Sequence, residues 1–266
     1  MIRLLAIDMD ETCLNDKKII SDENLEAMKK ATEAGITVVP TTGRALACLP
    51  HQLKEESFYP YVISSNGAAV TDMCTGKDIF NELIPYETAY EFLTQCADKK
   101  IGISAHVKHD FVLQGHALRF LGKVSYGKDA TYSKYTKDLA EMLMNEKTGI
   151  EEIQLFHFGN DAASQINEIL SNYDCFIKSS TSTYTELYSN NASKGNALTA
   201  LANTLGISPA EIACIGDAEN DFSMFNASGL KFAMGNGIPA LKEMADVVVP
   251  SNNESGVAFA IEKHLL

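Results

Sequence analysis

The chain has 266 residues, of which 35 are acidic and 22 basic, a formal charge of −13. Hydrophobic residues at 45% and charged residues at 21% describe an ordinary globular protein and exclude a largely disordered one. The acidic excess argues against general affinity for nucleic acid or anionic membrane, but screening within about 8–10 Å leaves a small anionic ligand open.

The first predicted element is the apolar run Leu4-Leu5-Ala6-Ile7, followed at once by acids, as for a buried parallel strand that ends at a site. Ser21 is placed to cap a helix running to about Ala34, with Leu25, Met28 and Thr32 inward and Gly35 as its stop. Residues 36–39 and 62–65 read as the next strands, and strands alternating with helices imply crossovers and a parallel sheet. From about 84 to 187 the pattern changes. A helix over 86–99 precedes strands at 103–107 and 110–114 joined by a two-residue turn. A helix at about 136–147, a strand at 152–158, a helix at 161–171 and paired strands at 174–179 and 183–187 follow. That is an α+β module on an antiparallel sheet. The parallel rhythm then returns: a helix over 195–205 with Leu198, Leu201, Ala202 and Leu205 inward, a strand at 212–215, and a helix after Asp221. Short strands at 231–234 and 247–249 and a terminal helix from about Gly256 complete it. The expected organisation is an α/β core from residues 1–83 and 188–266, with an α+β cap, 84–187, inserted.

No segment approaches 18 uninterrupted apolar residues, so no membrane span is expected. Met1-Ile2-Arg3 leads straight into a strand rather than a signal peptide. The six cysteines (Cys13, Cys48, Cys74, Cys96, Cys175, Cys214) are scattered without metal-finger spacing. A cytoplasmic protein with reduced thiols is expected.

Four stretches at predicted strand ends carry chemistry, and ligands of open parallel sheets bind outside those ends. Asp8-Met9-Asp10-Glu11-Thr12 offers a carboxylate able to attack phosphorus and a second to carry a proton; alone, it also reads as a solvated acidic loop. Thr41-Thr42-Gly43-Arg44 offers a hydroxyl and N–H groups for a phosphate oxygen, with Gly43 permitting close approach, or else a polar turn; Asn66-Gly67 is similar. Lys194 can neutralise a phosphoryl oxygen, or lie in solvent. Gly216-Asp217-Ala218-Glu219-Asn220-Asp221 has the hard oxygen donors that suit Mg²⁺, or is an acidic helix start. Taken together they supply a nucleophile, a proton carrier, phosphate holders and a metal site, the parts phosphoryl transfer needs.

The order Asp8-x-Asp10-x-Thr12, Thr42-Gly43-Arg44, Asn66-Gly67, Lys194-Gly195 and Gly216-Asp217-x-x-Asn220-Asp221 resembles the haloacid dehalogenase superfamily. More narrowly it is similar to the Cof-like phosphatases with a type IIB cap, a likeness supported by Met234-Gly235-Asn236-Gly237 and Asn253-Glu254-Ser255-Gly256-Val257. The resemblance implies a Rossmann-like parallel-sheet core with an inserted α+β cap. It also implies roles. Asp8 is the nucleophile and a Mg²⁺ ligand. Asp10 is the general acid/base and lends its backbone carbonyl to the metal. Thr42 and Lys194 bind the phosphoryl group, Asp217 binds Mg²⁺, Asp221 supports the metal shell, and Asn220 contacts phosphate or a metal-bound water. Glu11 stands where the superfamily most often has glycine, and is expected to point away from the metal.

The expected activity is Mg²⁺-dependent hydrolysis of small phosphomonoesters, sugar phosphates or similar metabolites, through an aspartyl-phosphate, with no nucleic-acid or membrane partner. A phosphomutase or phosphotransferase with the same nucleophile, and a non-catalytic phospholigand or Mg²⁺ sensor, are the alternatives. The cap is expected to exclude water and touch the leaving group, with His106, His109, Arg119 and Lys178 as polar candidates beside the reading of each as an ordinary surface residue.

Overall fold

The computed structural model describes residues 1–115, 129, 133–158, 161–174, 183–266 and, for the main chain alone, 176–180. In chain order its elements are β1 (Leu4–Asp8), α1 (Asp22–Glu33), β2 (Thr37–Thr41), α2 (His51–Lys54), β3 (Tyr61–Ser64), β4 (Ala69–Asp72) and β5 (Lys77–Asn81). Then come α3 (Tyr86–Gln95), β6 (Ile101–Val107), β7 (Asp110–Gln114), β8 (Lys134–Thr136), α4 (Leu139–Glu146), β9 (Glu152–His157), α5 (Ala162–Leu170), β10 (Phe176–Ser180) and β11 (Tyr184–Ser189). The last are α6 (Lys194–Leu205), β12 (Ile212–Gly216), α7 (Phe222–Ala227), β13 (Leu230–Ala233), α8 (Pro239–Met244), β14 (Val247–Val248) and α9 (Gly256–His264). The chain divides into two compact units, Met1–Gly43 with Pro50–Asn81 and Ser193–Leu266, and Arg44–Leu49 with Glu82–Ala192.

In the first unit the strands lie in the order β14-β13-β12-β1-β2-β3-β4-β5, parallel from β14 to β3. The strands β4 and β5 add an antiparallel margin that the sequence reading does not contain. The reason is visible in β5, where Ile79 and Phe80 are the only apolar residues, side by side between Lys77-Asp78 and Asn81, so neither an apolar run nor an alternation shows. Successive crossovers run outward from β1 on one side and from β12 on the other. The topological switch therefore falls between these two strands, where Leu4 to Ile7 pair with Ile212 to Ile215. On the helical side Leu4, Ala6, Val39, Ile63 and Cys214 pack against Ala197, Leu198 and Leu201 of α6 and Met224 and Phe225 of α7. Burial of such side chains contributes about 1.5–3 kcal/mol each and holds the strand ends in register. The Ser21 hydroxyl caps α1 as expected, accepting from Asn24 N–H. The inward face is rotated from the expected one, however: Asn24, Ala27, Met28 and Ala31 are buried, whereas Leu25 and Thr32 are half-exposed. Asn24 is drawn inward because its amide pins Cys13 C=O and Ala258 N–H.

The second unit has the order β10-β11-β9-β6-β7-β8. It is antiparallel except at β7–β8, which pair in parallel; β8 is absent from the sequence reading. One face buries Ile103, Ala105, Ile153 and Leu155 against Phe92 and Leu93 of α3, Leu139 and Leu143 of α4 and Ile166 of α5. On the other, Phe111 and Leu113 pack with Ala45 and Cys48 of the 44–49 segment. The guanidinium of Arg44 is buried there against the carboxylate of Asp129 at 2.9 Å. His106 faces no solvent: it is fully buried beside Phe111, with its Nε2 3.3 Å from Gln154 Nε2, and burial pulls its pKa down to about 3. It is thus a neutral core histidine rather than a surface contact. Arg119 and the side chain of Lys178 lie outside the described residues.

Candidate active site

The site forms where β1 and β12 end, entirely within the first unit. Asp8 closes β1, and the chain turns sharply through residues 9–13, with Glu11 at φ +60°. Asp10 and Glu11 are exposed, while Thr12 is buried. In the neighbouring strand Thr41 pairs with Asp8, so Thr42, buried, stands one residue beyond the sheet beside the nucleophile candidate. Gly43 lies against the Asn66 amide. Asn66 in turn accepts from Asn220 Nδ2 at 3.1 Å, joining two stretches that are 154 residues apart. The turn at Ser65, Asn66 and Gly67 has three successive positive φ angles. Gly67, at φ +92°, leaves no room for a side chain: a Cβ would sit 2.1 Å from the carbonyl oxygen of Ser193. That contact seats the first turn of α6, which begins with Lys194.

Lys194 is fully buried and reaches Asp8 Oδ1 at 2.5 Å and Asp221 Oδ1 at 2.7 Å. The other Asp221 oxygen accepts from the backbone N–H of Asp217 and Ala218, at 2.8 and 3.1 Å. Both Asp221 oxygens are thus committed within the protein. Gly216 makes this possible, because a Cβ there would lie 2.5 Å from Asp221 Oδ2. Asp217 Oδ1 accepts from Thr12 Oγ1 at 2.6 Å. Ligand atoms of Asp8, Asp217 and Asp221, all buried, lie within 4.8 Å of one another; Asp10 lies outside this group of carboxylates.

Burial raises the pKa of Asp8 well above the usual carboxylate range; Lys194 opposes this, and Asp221 and Asp217 add to it. Asp217 is pushed up to about 6, chiefly by burial, against the Thr12 hydrogen bond. For Lys194 burial works downward, but the carboxylates of Asp221 and Asp8 overcome it and hold the ammonium above its ordinary value. The donor set fits a hard divalent cation. Three carboxyl groups crowd one ammonium in a buried site and every donor is oxygen, so a bound cation would offset the burial that lifts Asp8 and Asp217. Cys13, close to the first motif, is no part of this chemistry: it is buried against Met28, and burial lifts its thiol to about 12.

Sequence reasoning placed Asp8, Lys194, Asp217 and Asp221 at strand ends, and the structure brings them together. Asn220 joins through Asn66 rather than through the carboxylates. It missed the Thr12–Asp217 bond and the contacts of Asn236 described below. Thr12 carries a signal, since it is the third defined position of the first motif.

An open parallel sheet with buried acids at its switch point is the layout of an α/β enzyme for a charged ligand. The sequence matches the family model of haloacid dehalogenase-like hydrolases over residues 5–261. M6_Spy0533 of Streptococcus pyogenes serotype M6 is 34% identical, covering 100% of this chain and 99% of its own. The 5-amino-6-(5-phospho-D-ribitylamino)uracil phosphatase YwtE of Bacillus subtilis is 31% identical over 99% and 98%. Among solved structures, a haloacid dehalogenase-like hydrolase from B. subtilis superimposes with a TM-score of 0.85 at 30% identity, covering 100% of both chains. The chain therefore belongs to the haloacid dehalogenase-like hydrolases, as a Cof-like phosphatase. Among the described residues, no helix is long and apolar enough to cross a membrane.

Proposed function

We propose that the protein hydrolyses small phosphomonoesters in a Mg²⁺-dependent reaction through an aspartyl-phosphate on Asp8. The observation that carries this reading is the Asp8 carboxylate, which Lys194 grips by one oxygen amid the buried acids of the β12 end. Its Oδ2 attacks phosphorus, the bond from phosphorus to the ester oxygen breaks, and Asp10 delivers a proton to the departing alkoxide. Asp10 then takes a proton from water, the resulting hydroxide attacks phosphorus, and the acyl-phosphate bond breaks to restore Asp8 and release phosphate. Lys194 opposes the burial that favours the protonated form of Asp8 and orients its carboxyl group. Thr42, the backbone at Gly43, and Asn220 hold the phosphoryl oxygens. Asp8, Asp217 and the main-chain carbonyl of Asp10 would hold Mg²⁺, with Asp221 behind them. The bound ion would supply the positive charge that lets a carboxylate approach a phosphate dianion, a repulsion of about 4–5 kcal/mol per charge pair at 3–4 Å and an effective dielectric near 20.

Two relatives, YwtE and YcsE of B. subtilis, carry a name that gives a polyol phosphate as substrate. A sugar- or polyol-phosphate is therefore the substrate class proposed first, with no nucleic-acid or membrane partner. Five free cysteines among the described residues support a reducing, cytoplasmic setting. The test is phosphate release from p-nitrophenyl phosphate and 5-amino-6-(5-phospho-D-ribitylamino)uracil. Mg²⁺ should support turnover, and EDTA or Asp8→Asn should abolish it. Turnover indifferent to both removes the mechanism, and interconversion of sugar phosphates without released phosphate would make the protein a mutase.

A further inference from the structure

The turn that carries Asp10 is held from outside by residues at the far end of the sequence. A non-glycine residue in the left-handed region, as Glu11 is, costs on the order of 1 kcal/mol and persists only where its surroundings enforce it. Asn236 Nδ2 donates to the Glu11 carbonyl at 2.7 Å, and Asn236 Oδ1 accepts from Asn252 N–H at 2.9 Å. Asn252, buried, donates to the Leu14 carbonyl at 3.1 Å and to the Asp16 carboxylate at 3.3 Å. Asn253 Oδ1 accepts from Asp16 N–H at 3.2 Å. The same loop grips the second acidic stretch: Ile238 N–H donates to the Asp217 carbonyl at 2.9 Å. Residues 235–238 thus fasten both strand ends at once, and the reaction described above uses none of these contacts.

We infer that Asn236 is a positioning residue for proton transfer, holding the Glu11 carbonyl so that the turn aims Asp10 at the leaving oxygen. This rests on the reading of Asp10 as the acid and base. An amide suits the place because it donates to Glu11 and accepts from Asn252 together. Aspartate has no donor for Glu11, and alanine has neither group.

A fastener with only a structural role slows every substrate alike, whereas a misaimed acid slows those whose leaving group needs a proton. The experiment compares wild type, Asn236→Asp and Asn236→Ala on p-nitrophenyl phosphate and on glycerol phosphate, with amide hydrogen exchange of residues 11–14 alongside. For either variant kcat on glycerol phosphate should fall about 10–100-fold and on the aryl ester by less than about threefold, since general acid catalysis contributes 10²–10⁴ where it is needed. KM should hold, and exchange at 11–14 should quicken. Equal losses on both esters, no loss, or unchanged exchange overturns the inference. Turnover that survives Asp8→Asn defeats the underlying reading of the reaction instead, and exchange then decides whether Asn236 holds the turn.

Discussion

The two units bury polar groups to opposite ends. In the first, Asp8, Lys194, Asp217 and Asp221 are ionisable groups crowded where two parallel strands end, with negative charge in excess. In the second, Ser104, Gln154, Glu152 and His106 form a hydrogen-bonded row across β6 and β9, and the histidine stays neutral. A buried group whose partners satisfy it stabilises a sheet; a buried group left in want of a counter-charge is poised to bind one. Burial alone therefore does not mark a site. Charge imbalance at a switch point does.

The contrast can be broken most forcefully at Lys194. Lys194→Met leaves Asp8 and Asp221 facing each other and should cost about 3–5 kcal/mol of stability. It should also lower kcat by roughly 10³-fold, as loss of one oriented charge in a transition-state site does, read by urea unfolding and phosphate release. Arg44→Met removes one buried partner of Asp129 in the second unit and should cost up to about the same 3–5 kcal/mol, with the loss seen as faster hydrogen exchange in β7. If Arg44→Met left stability untouched, the two units would not differ as described.

His106 sharpens the comparison through pH. Its folded pKa, about 3, lies below the value near 6.5 expected in the unfolded chain. Above pH 6.5 both states are neutral and nothing is gained. Below it the unfolded chain takes up a proton that the folded chain refuses, so stability falls by about 1.4 kcal/mol per pH unit toward pH 3. The urea midpoint of His106→Gln should decline less between pH 6.5 and 4.5 than that of wild type. The smallest effect belongs to Thr12→Val, which deletes the hydroxyl that holds Asp217. On the proposed reading of Asp217 as a metal ligand, the Mg²⁺ concentration for half-maximal turnover should rise about 10–100-fold, the usual cost of losing an outer partner of such a ligand.

Much of this was legible in the sequence, and for a physical reason. A buried parallel strand announces itself as an apolar run, and its end as the first charged residue after it, so Asp8 and Asp217 could be placed without coordinates. Lys194 was marked by the helix predicted from Gly195, which the structure starts one residue earlier, at Lys194. What escaped lacked such a signal: β5 has only two adjacent apolar residues, β8 spans three residues, and Asn236 bonds to Glu11, 225 positions away. Glu11 is instructive: a glutamate stands at φ +60° where its carbonyl accepts from Asn236.

The central pairing of the first sheet joins Leu4 to Ile212. During synthesis, then, β1 waits until the chain has reached Ile212 before its neighbour on that flank exists, and the whole of the 82–192 segment is made in the interval. Closing so long a loop first would be entropically unfavourable. Asp8 therefore meets Asp217 and Asp221 only after β12 arrives, so a chain truncated before that strand lacks two of the three clustered carboxylates.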